Sequence, residues 1–91
     1  MHFAAILDGQ DDVWGVRIPD LPGCHGGGAT ADEAIADATS AAREWIEHQL
    51  ARGAAIPTPR GLDQIRRDPR EEFDPVTEAL VLIPALATEP A

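Results

Sequence analysis

The sequence predicts an α+β domain with the order β-β-β-α-β, in which a four-stranded mixed sheet carries one long helix on one face. Two apolar segments, residues 2–7 and 13–18, flank a polar loop, and this arrangement is typical of an antiparallel hairpin. Residues 30–53 then carry apolar side chains at helical spacing. A last apolar segment, residues 79–86, follows the helix, and a helix between two strands favours a crossover connection. We therefore expect the last strand to run parallel to the first, in the sheet order 3-2-1-4.

The N-terminal hairpin is predicted from the alternation of its second segment, VWGVRI. Trp14, Val16 and Ile18 share one face of this strand, and the intervening side chains lie on the other. The polar residues 8–12 form the loop, in which Gly9 is available for a left-handed conformation.

The stretch PDLPGCHGGGAT, residues 19–30, connects the hairpin to the helix and holds four of the eight glycines. The chain must turn at residues 19–23, because neither proline can donate a backbone hydrogen bond to a sheet. Residues 24–27, CHGG, are predicted as a short edge strand. Its glycines allow this strand to approach the helix closely.

The long helix has clear signals at both ends. Thr30 with Glu33 three residues later forms a capping box, and Arg52 and Gly53 mark the end. An apolar stripe lies between them, and we expect Trp45 and Ile46 at the centre of the core. The members of this stripe are Ala34, Ile35, Ala38, Ala41, Ala42, Trp45, Ile46 and Leu50.

The C-terminal third is less regular. Residues 56–61, IPTPRG, are predicted as an extended linker, followed by one short helix from Leu62 to Arg67. The segment ALVLIPAL, residues 79–86, is apolar on both faces, which favours a buried, central strand. Because one helix covers only one face of a sheet, the other face is predicted to be an interface. We expect a homodimer, built on this face or on pairing of exposed strand edges, with the last strand taking part and a tetramer as the larger alternative.

The composition and charge of the chain limit the partners that it can bind. Sixteen acidic residues oppose seven basic ones, all arginine, and the formal net charge is −9. Such a surface repels nucleic acid, so we expect no direct nucleic-acid binding, and its natural partners are basic proteins or cations. The charge is equally consistent with a role in solubility alone. A single cysteine, no signal peptide and no long apolar run predict one cytoplasmic domain, residues 1–91, without a membrane segment.

No pattern of catalytic, cofactor-binding or metal-binding residues emerges. The glycines before the helix lack the lysine of a phosphate-binding loop. Cys24 and His25 are adjacent on a strand and point to opposite faces, so they cannot act as a nucleophile–base pair. Glu44 and His48 share a helix face, but two ligands do not form a metal site. We therefore expect neither an enzyme nor a cofactor.

One combination of motifs is specific. It consists of an aromatic strand that ends in PDLPGC, a short segment GAT, the pair EA that begins three residues after Thr30, and IPTP after the helix. With this combination the chain resembles the HicB-like antitoxin family. The elements that carry the resemblance are Trp14, residues 19–24, residues 28–30, Glu33, Ala34, Ala38 and residues 56–59.

The resemblance implies a partial ribonuclease-H-like fold that binds and blocks a HicA-like toxin, a small basic ribonuclease. It implies that the PDLPG turn and the helix cap define the fold. With Trp45 from the core prediction, the fold-defining residues are Pro19, Asp20, Leu21, Pro22, Gly23, Thr30, Glu33 and Trp45.

Many members of this family add a C-terminal DNA-binding domain, and we expect none here. An orphan binding or regulatory module without a toxin is the alternative function. For toxin contact we select exposed acids of the hairpin and the helix, namely Asp8, Asp11, Asp12, Asp37, Glu44 and Glu47.

Overall fold

The computed structural model describes residues 1–85, which form an antiparallel four-stranded sheet with a long helix on one face and a short helix on the other. The sheet order is β3-β2-β1-β4, as predicted. Leu86, the last residue of the predicted C-terminal strand, lies outside the described residues. The elements are β1 (His2–Gln10), β2 (Val13–Arg17), β3 (His25–Gly28), α1 (Ala31–Ala51), α2 (Leu62–Arg67), a 3-10 turn (Pro69–Glu71) and β4 (Glu78–Pro84).

The direction of β4 differs from the prediction. β4 runs antiparallel to β1, so the expectation of a parallel last strand and a mixed sheet is wrong. The second half of α1 lies at the PDLPG end of the sheet, where the indole Nε1 of Trp45 donates to the carbonyl oxygen of Pro22 (3.1 Å). β4 begins at the other end, with Glu78 opposite Asp8. α1 therefore returns the chain to the end of the sheet where β1 begins, and a strand that started there would run parallel to β1. Residues 52–77, the crossing segment, instead lead back to the hairpin end, so β4 starts at that end and runs antiparallel to β1.

The central buried strand is β1, and the predicted central position of β4 is wrong, because β4 lies at the sheet edge. Phe3 and Ala5 pack beneath α1, whereas Ala4 and Ile6 face the opposite side. All four side chains are fully buried. A strand that is apolar on both faces is expected wherever both faces are covered, and β1 meets that condition.

The apolar stripe of α1 packs on β2 and β3, where Trp14, Val16 and Ile18 share the face that was predicted for them. The buried members of the stripe are Ala34, Ala38, Ala42 and Ile46. Two other members differ from the prediction. Trp45 is half-buried at the rim, and Leu50 is 55% exposed. At 1.5 Å per residue, Leu50 lies more than one turn beyond Trp45, which is itself at the rim of the core.

Glycines in β3 allow α1 to pack directly on the backbone of this edge strand, as predicted. A Cβ atom on Gly26 would lie 2.7 Å from the Cα of Ala38, and one on Gly28 would lie 2.6 Å from the Cβ of Glu33. Any side chain at these positions would push strand and helix apart. The small alanines of α1 complete this close contact from the helix side.

The second face of the sheet is covered by the same chain. Ile65 of α2 is fully buried against Ala4 and Ile6, and Leu62, Phe73 and Leu80 surround it. The premise that one face lacks a helix and must therefore form the interface is wrong. The predicted short helix has the predicted bounds, but its role as a cover was not foreseen.

The hairpin and the helix cap differ in detail from the prediction. β1 and β2 extend to Gln10 and Val13, so only Asp11 and Asp12 form the turn, and Asp11 takes a left-handed conformation (φ 54°). Thr30 Oγ1 accepts the N–H of Glu33 (3.1 Å) as predicted. The return bond of the cap goes from the N–H of Ala29 to Glu33 Oε1, instead of from the N–H of Thr30.

Candidate functional site

The hairpin acids lie at one end of the sheet. Asp8, Asp11 and Asp12 are exposed and line an open groove together with Trp14. The indole Nε1 of Trp14 donates to the carbonyl oxygen of Asp11 (3.0 Å) and holds the turn in place. Val13, beside this turn, is 71% exposed. The hairpin therefore presents three carboxylates next to a free apolar side chain.

The helix acids are exposed on α1, but they are not equivalent. The carboxylate of Asp37 accepts the backbone N–H of Gly27 (3.0 Å), so Asp37 satisfies an outward-facing donor of the β3 edge. Glu44 and Glu47 flank Trp45, and the bond of Trp45 to Pro22 places this part of α1 at the PDLPG end. Asp37 has a structural role that the sequence did not indicate.

Five of the six predicted acids are thus divided between two ends of the molecule, whereas Asp37 packs against β3. α1 begins next to Gly28, which pairs with Trp14 of the hairpin. Asp32 and Glu33 in its first turn lie at the hairpin end, whereas Glu44 and Glu47 lie at the opposite end. The structure adds Asp32 and Glu33 to the acidic hairpin surface. In the sequence, Glu33 was assigned only to the helix cap.

A charged cluster around Arg60 was missed by the sequence analysis. Its guanidinium contacts the carboxylates of Asp20 (2.7 Å), Asp68 (2.8 Å) and Glu71 (2.6 Å). Its backbone N–H also donates to Asp20 (2.7 Å). Hydrogen bonds to Glu71 and Asp20 raise the pKa of Arg60 further above its usual value. The cluster ties the PDLPG turn to the segment that covers the second face of the sheet.

The remaining residues of the PDLPG turn have roles within the chain. Leu21 is fully buried, and its backbone carbonyl accepts the N–H of Cys24 (2.9 Å). Gly23 takes a left-handed conformation (φ 81°), which favours glycine. Cys24 is a small residue of the core beneath α1, and its burial raises the pKa of its thiol.

Metal-binding and membrane-spanning features can be assessed for the described part of the chain. Within residues 1–85, no set of three or more His, Cys, Asp or Glu side chains is placed to hold a metal ion. Neither helix in this range combines the length and the apolar content needed to cross a bilayer.

Solved structures with the same fold include HicB antitoxins. The N-terminal domain of Burkholderia pseudomallei antitoxin HicB superposes with a TM-score of 0.75 at 25% sequence identity, covering 91% of this chain and 95% of that one. The longer B. pseudomallei HicB gives 0.74 at 26% identity and covers 100% of this chain and 70% of that one. A chain of a HicA3 and HicB3 toxin–antitoxin complex shares the fold, with a TM-score of 0.69, 21% identity and coverages of 91% and 95%.

At the sequence level, no curated protein matches the chain significantly. A family profile described as "HicB_like antitoxin of bacterial toxin-antitoxin system" matches residues 2–89. The match includes the PDLPG turn, the glycine strand, α1 and the segment that covers the second face. The chain therefore belongs to the HicB-like antitoxin family.

Proposed function

We propose that this chain is the antitoxin of a HicA/HicB-type pair and that it acts in the cytoplasm by binding a small, basic, mRNA-cleaving toxin. The family match over residues 2–89 is the observation that carries this proposal. The likeness in fold to a chain of a HicA3 and HicB3 complex supports it. Binding alone is sufficient for this function, so the proposal includes no catalytic residue, metal or cofactor.

Charge complementarity is the proposed source of recognition. A net charge of −9 attracts a basic protein over long range and raises the rate at which the two meet. The hairpin surface, formed by Asp8, Asp11 and Asp12, adds short-range contacts, and the exposed Val13 adds an apolar contact. In the proposed mechanism, the hairpin and the outer face of α1 cover the catalytic surface of the toxin and exclude RNA from it.

Co-expression tests the function directly. A cognate HicA-like toxin, encoded beside this chain, should arrest growth when it is produced alone, and this chain should restore growth. Purified toxin and chain should also form a complex in calorimetry. If the folded chain neither rescues growth nor binds the toxin, it is an orphan member of the family, and the antitoxin proposal is overturned.

Charge-neutral variants test the contact surface. A triple Asp8→Asn, Asp11→Asn, Asp12→Asn variant should associate with the toxin more slowly and with a weaker dependence on salt. Asparagine tolerates the left-handed conformation at residue 11, so the turn should persist. A Glu44→Gln, Glu47→Gln variant tests the other end of α1 in the same way.

A control changes two acids of the covering segment, Asp63→Asn with Glu72→Gln, which are exposed outside the hairpin and α1, and its slowing is compared per charge removed. Equal slowing by the control and the hairpin variant would show that only overall charge matters. It would remove the hairpin from the proposed contact surface.

We propose further that this chain does not bind nucleic acid. Three of its arginines already pair with carboxylates, namely Arg17 with Glu78, Arg60 with its cluster, and Arg70 with Asp68. Four of the seven arginines therefore remain for phosphate contacts, against sixteen acidic residues. Measurable binding of the isolated chain to its own promoter at physiological salt would contradict this.

A further inference from the structure

The short helix α2 covers only part of the second face of the sheet. It packs over Ala4 and Ile6 of the central strand β1. On the neighbouring strands β2 and β3, the same face carries Gly15 paired with Gly27, because alternate residues of a strand share a face. The backbone of the sheet is therefore bare at these two positions.

Packing within residues 1–85 does not explain the glycine at position 15. Outside the adjacent residues, a Cβ atom on Gly15 would have two neighbours within 4 Å, Asp8 Oδ1 at 3.5 Å and the carbonyl oxygen of Gly26 at 3.8 Å. One on Gly27 would meet the carbonyl oxygen of Trp14 at 3.3 Å. All three atoms belong to the sheet itself, and no atom of α2 lies above them. Neither Gly15 nor Gly27 has a positive φ.

A carboxylate and an apolar side chain border this bare backbone. Asp8 pairs with Gly15 from the β1 side. Val13 lies two residues before Gly15 on the same face, and its side chain is 71% exposed. An open groove at the hairpin includes all three residues. We call the surface formed by Asp8, Val13, Gly15 and Gly27 the Asp8 shelf.

The carboxylate of Asp8 has no cationic partner in the described part of the chain. It is exposed and takes part in none of the ion pairs within residues 1–85. Arg17, two residues after Gly15 on the same face, is held elsewhere. It contacts Glu78 (2.8 Å) and the carbonyl oxygen of Glu71 (3.0 Å). A cationic group for Asp8 is therefore left for a binding partner to supply.

We infer that the Asp8 shelf is the seat of a lysine or arginine side chain of the basic toxin. The aliphatic stem of such a side chain lies flat on the backbone of Gly15 and Gly27, beside Val13. Its charged end then reaches the Asp8 carboxylate. Lysine and arginine commonly bury their stems in this way while the charged end is paired or hydrated.

Charge favours the toxin over a second copy of this chain as the occupant. The net charge of −9 attracts a basic protein and repels another acidic copy. Glycine within a strand is also typical of sites where a ligand approaches the backbone closely. The inference rests on the proposed function, and it extends the proposed contact surface from the hairpin onto the face opposite α1.

The variant Gly15→Val tests the shelf without weakening the fold. Valine favours strands, and its Cβ has room, so the free energy of unfolding should stay the same or rise. Because the valine side chain fills the shelf, the affinity for the toxin should fall about tenfold or more, as for the loss of a hydrogen bond to a charged group. Gly15→Ala should cause a smaller loss. Unchanged affinity of Gly15→Val in calorimetric titration with the toxin overturns the inference.

The matched control is Ala79→Val, at an exposed position of β4 on the face that carries α1. It also adds a valine to a strand, but away from the shelf, so it should bind the toxin like the wild type. An equal loss of affinity in Gly15→Val and Ala79→Val would show that the shelf is not the seat, and this overturns the inference.

A double-mutant cycle tests the pairing with Asp8. Asp8→Asn should weaken toxin binding about tenfold in the wild type and much less in Gly15→Val, where the seat is already filled. Asp12→Asn removes the same charge from the hairpin turn and should cause the same loss in both backgrounds. Additive losses for Asp8→Asn and Gly15→Val overturn the inference even when the toxin binds. A wild-type chain that does not bind the toxin at all overturns the proposed function, and the inference falls with it.

Discussion

Gly26 shows how the absence of one side chain sets the distance between an edge strand and a helix. A Cβ at this position would lie 2.7 Å from the Cα of Ala38, well inside normal contact distance. The neighbour that must move is helix backbone, which cannot adjust by a rotamer change. At Gly15 the nearest atom to an added Cβ is the Asp8 Oδ1 at 3.5 Å, which is an ordinary contact.

The matched pair Gly26→Ala and Gly15→Ala tests this. Gly26→Ala should lower the free energy of unfolding by about 1–3 kcal/mol, the usual range for overpacking. Gly15→Ala should be neutral or slightly stabilising, because alanine reduces the entropy of the unfolded chain. Chemical denaturation of both variants provides the measurement, and similar values for the two would contradict the close packing of β3 on α1.

At the scale of elements, α2 converts a sheet with one covered face into a three-layer arrangement. Its only fully buried residue is Ile65, which packs on Ala4 and Ile6 of the central strand. Because α2 has six residues, it is too short to be stable alone, and packing on the sheet must hold it. The salt bridges of Arg60 anchor the segment on one side, and Phe73 continues the cover toward β4.

Ile65→Ala should therefore lower the free energy of unfolding by about 2–5 kcal/mol, as for other large-to-small changes in a core. The control is Leu50→Ala, a change of similar size at a site in α1 that is 55% exposed, and it should alter stability by less than about 0.5 kcal/mol. Thermal and denaturant unfolding of both variants provide the comparison. If Ile65→Ala behaves like the control, α2 does not cover the second face.

At the scale of the whole molecule, the side chain of Arg17 links β2 to the crossing segment and to β4. Arg17 of β2 donates to the Glu78 carboxylate (2.8 Å) and to the Glu71 carbonyl oxygen (3.0 Å). The hydrogen bond from Arg17 lowers the pKa of Glu78 below its usual value. In the same segment, hydrogen bonds from Arg70 lower the pKa of Asp68.

A carboxyl group whose pKa is lower in the folded state stabilises the fold at neutral pH, and this stabilisation is lost as the pH falls. The free energy of unfolding should thus decrease as the pH drops below about 4.3, the ordinary pKa of a glutamate. Arg17→Met should be less stable than wild type at pH 7 and should lose less stability on acidification. Arg43→Met, at an exposed site on α1, should keep the wild-type pH dependence. Parallel pH profiles for Arg17→Met and wild type would contradict the role of this pair.

The sequence by itself determined the hairpin, the PDLPG turn, α1 with its cap, the short α2 and the order of the strands. These features depend on local signals, such as alternation in VWGVRI, Thr30 with Glu33, and the glycines of β3. It also placed Asp8, Asp11 and Asp12 together, because they are neighbours on one hairpin. The family resemblance followed from the same local motifs and is confirmed by the match over residues 2–89.

Only the tertiary structure decided the direction of β4, the cover on the second face and the partners of the charged side chains. Asp20 and Arg60 are separated by 40 residues, and no spacing rule relates them. The polar segment that forms α2 buries few apolar side chains, so its periodicity did not show which surface it would cover. Asp37 looked like any solvent-facing acid of α1 until the approach of β3 brought the N–H of Gly27 to it. Local patterns specify local structure, whereas these contacts depend on how distant segments share one small core.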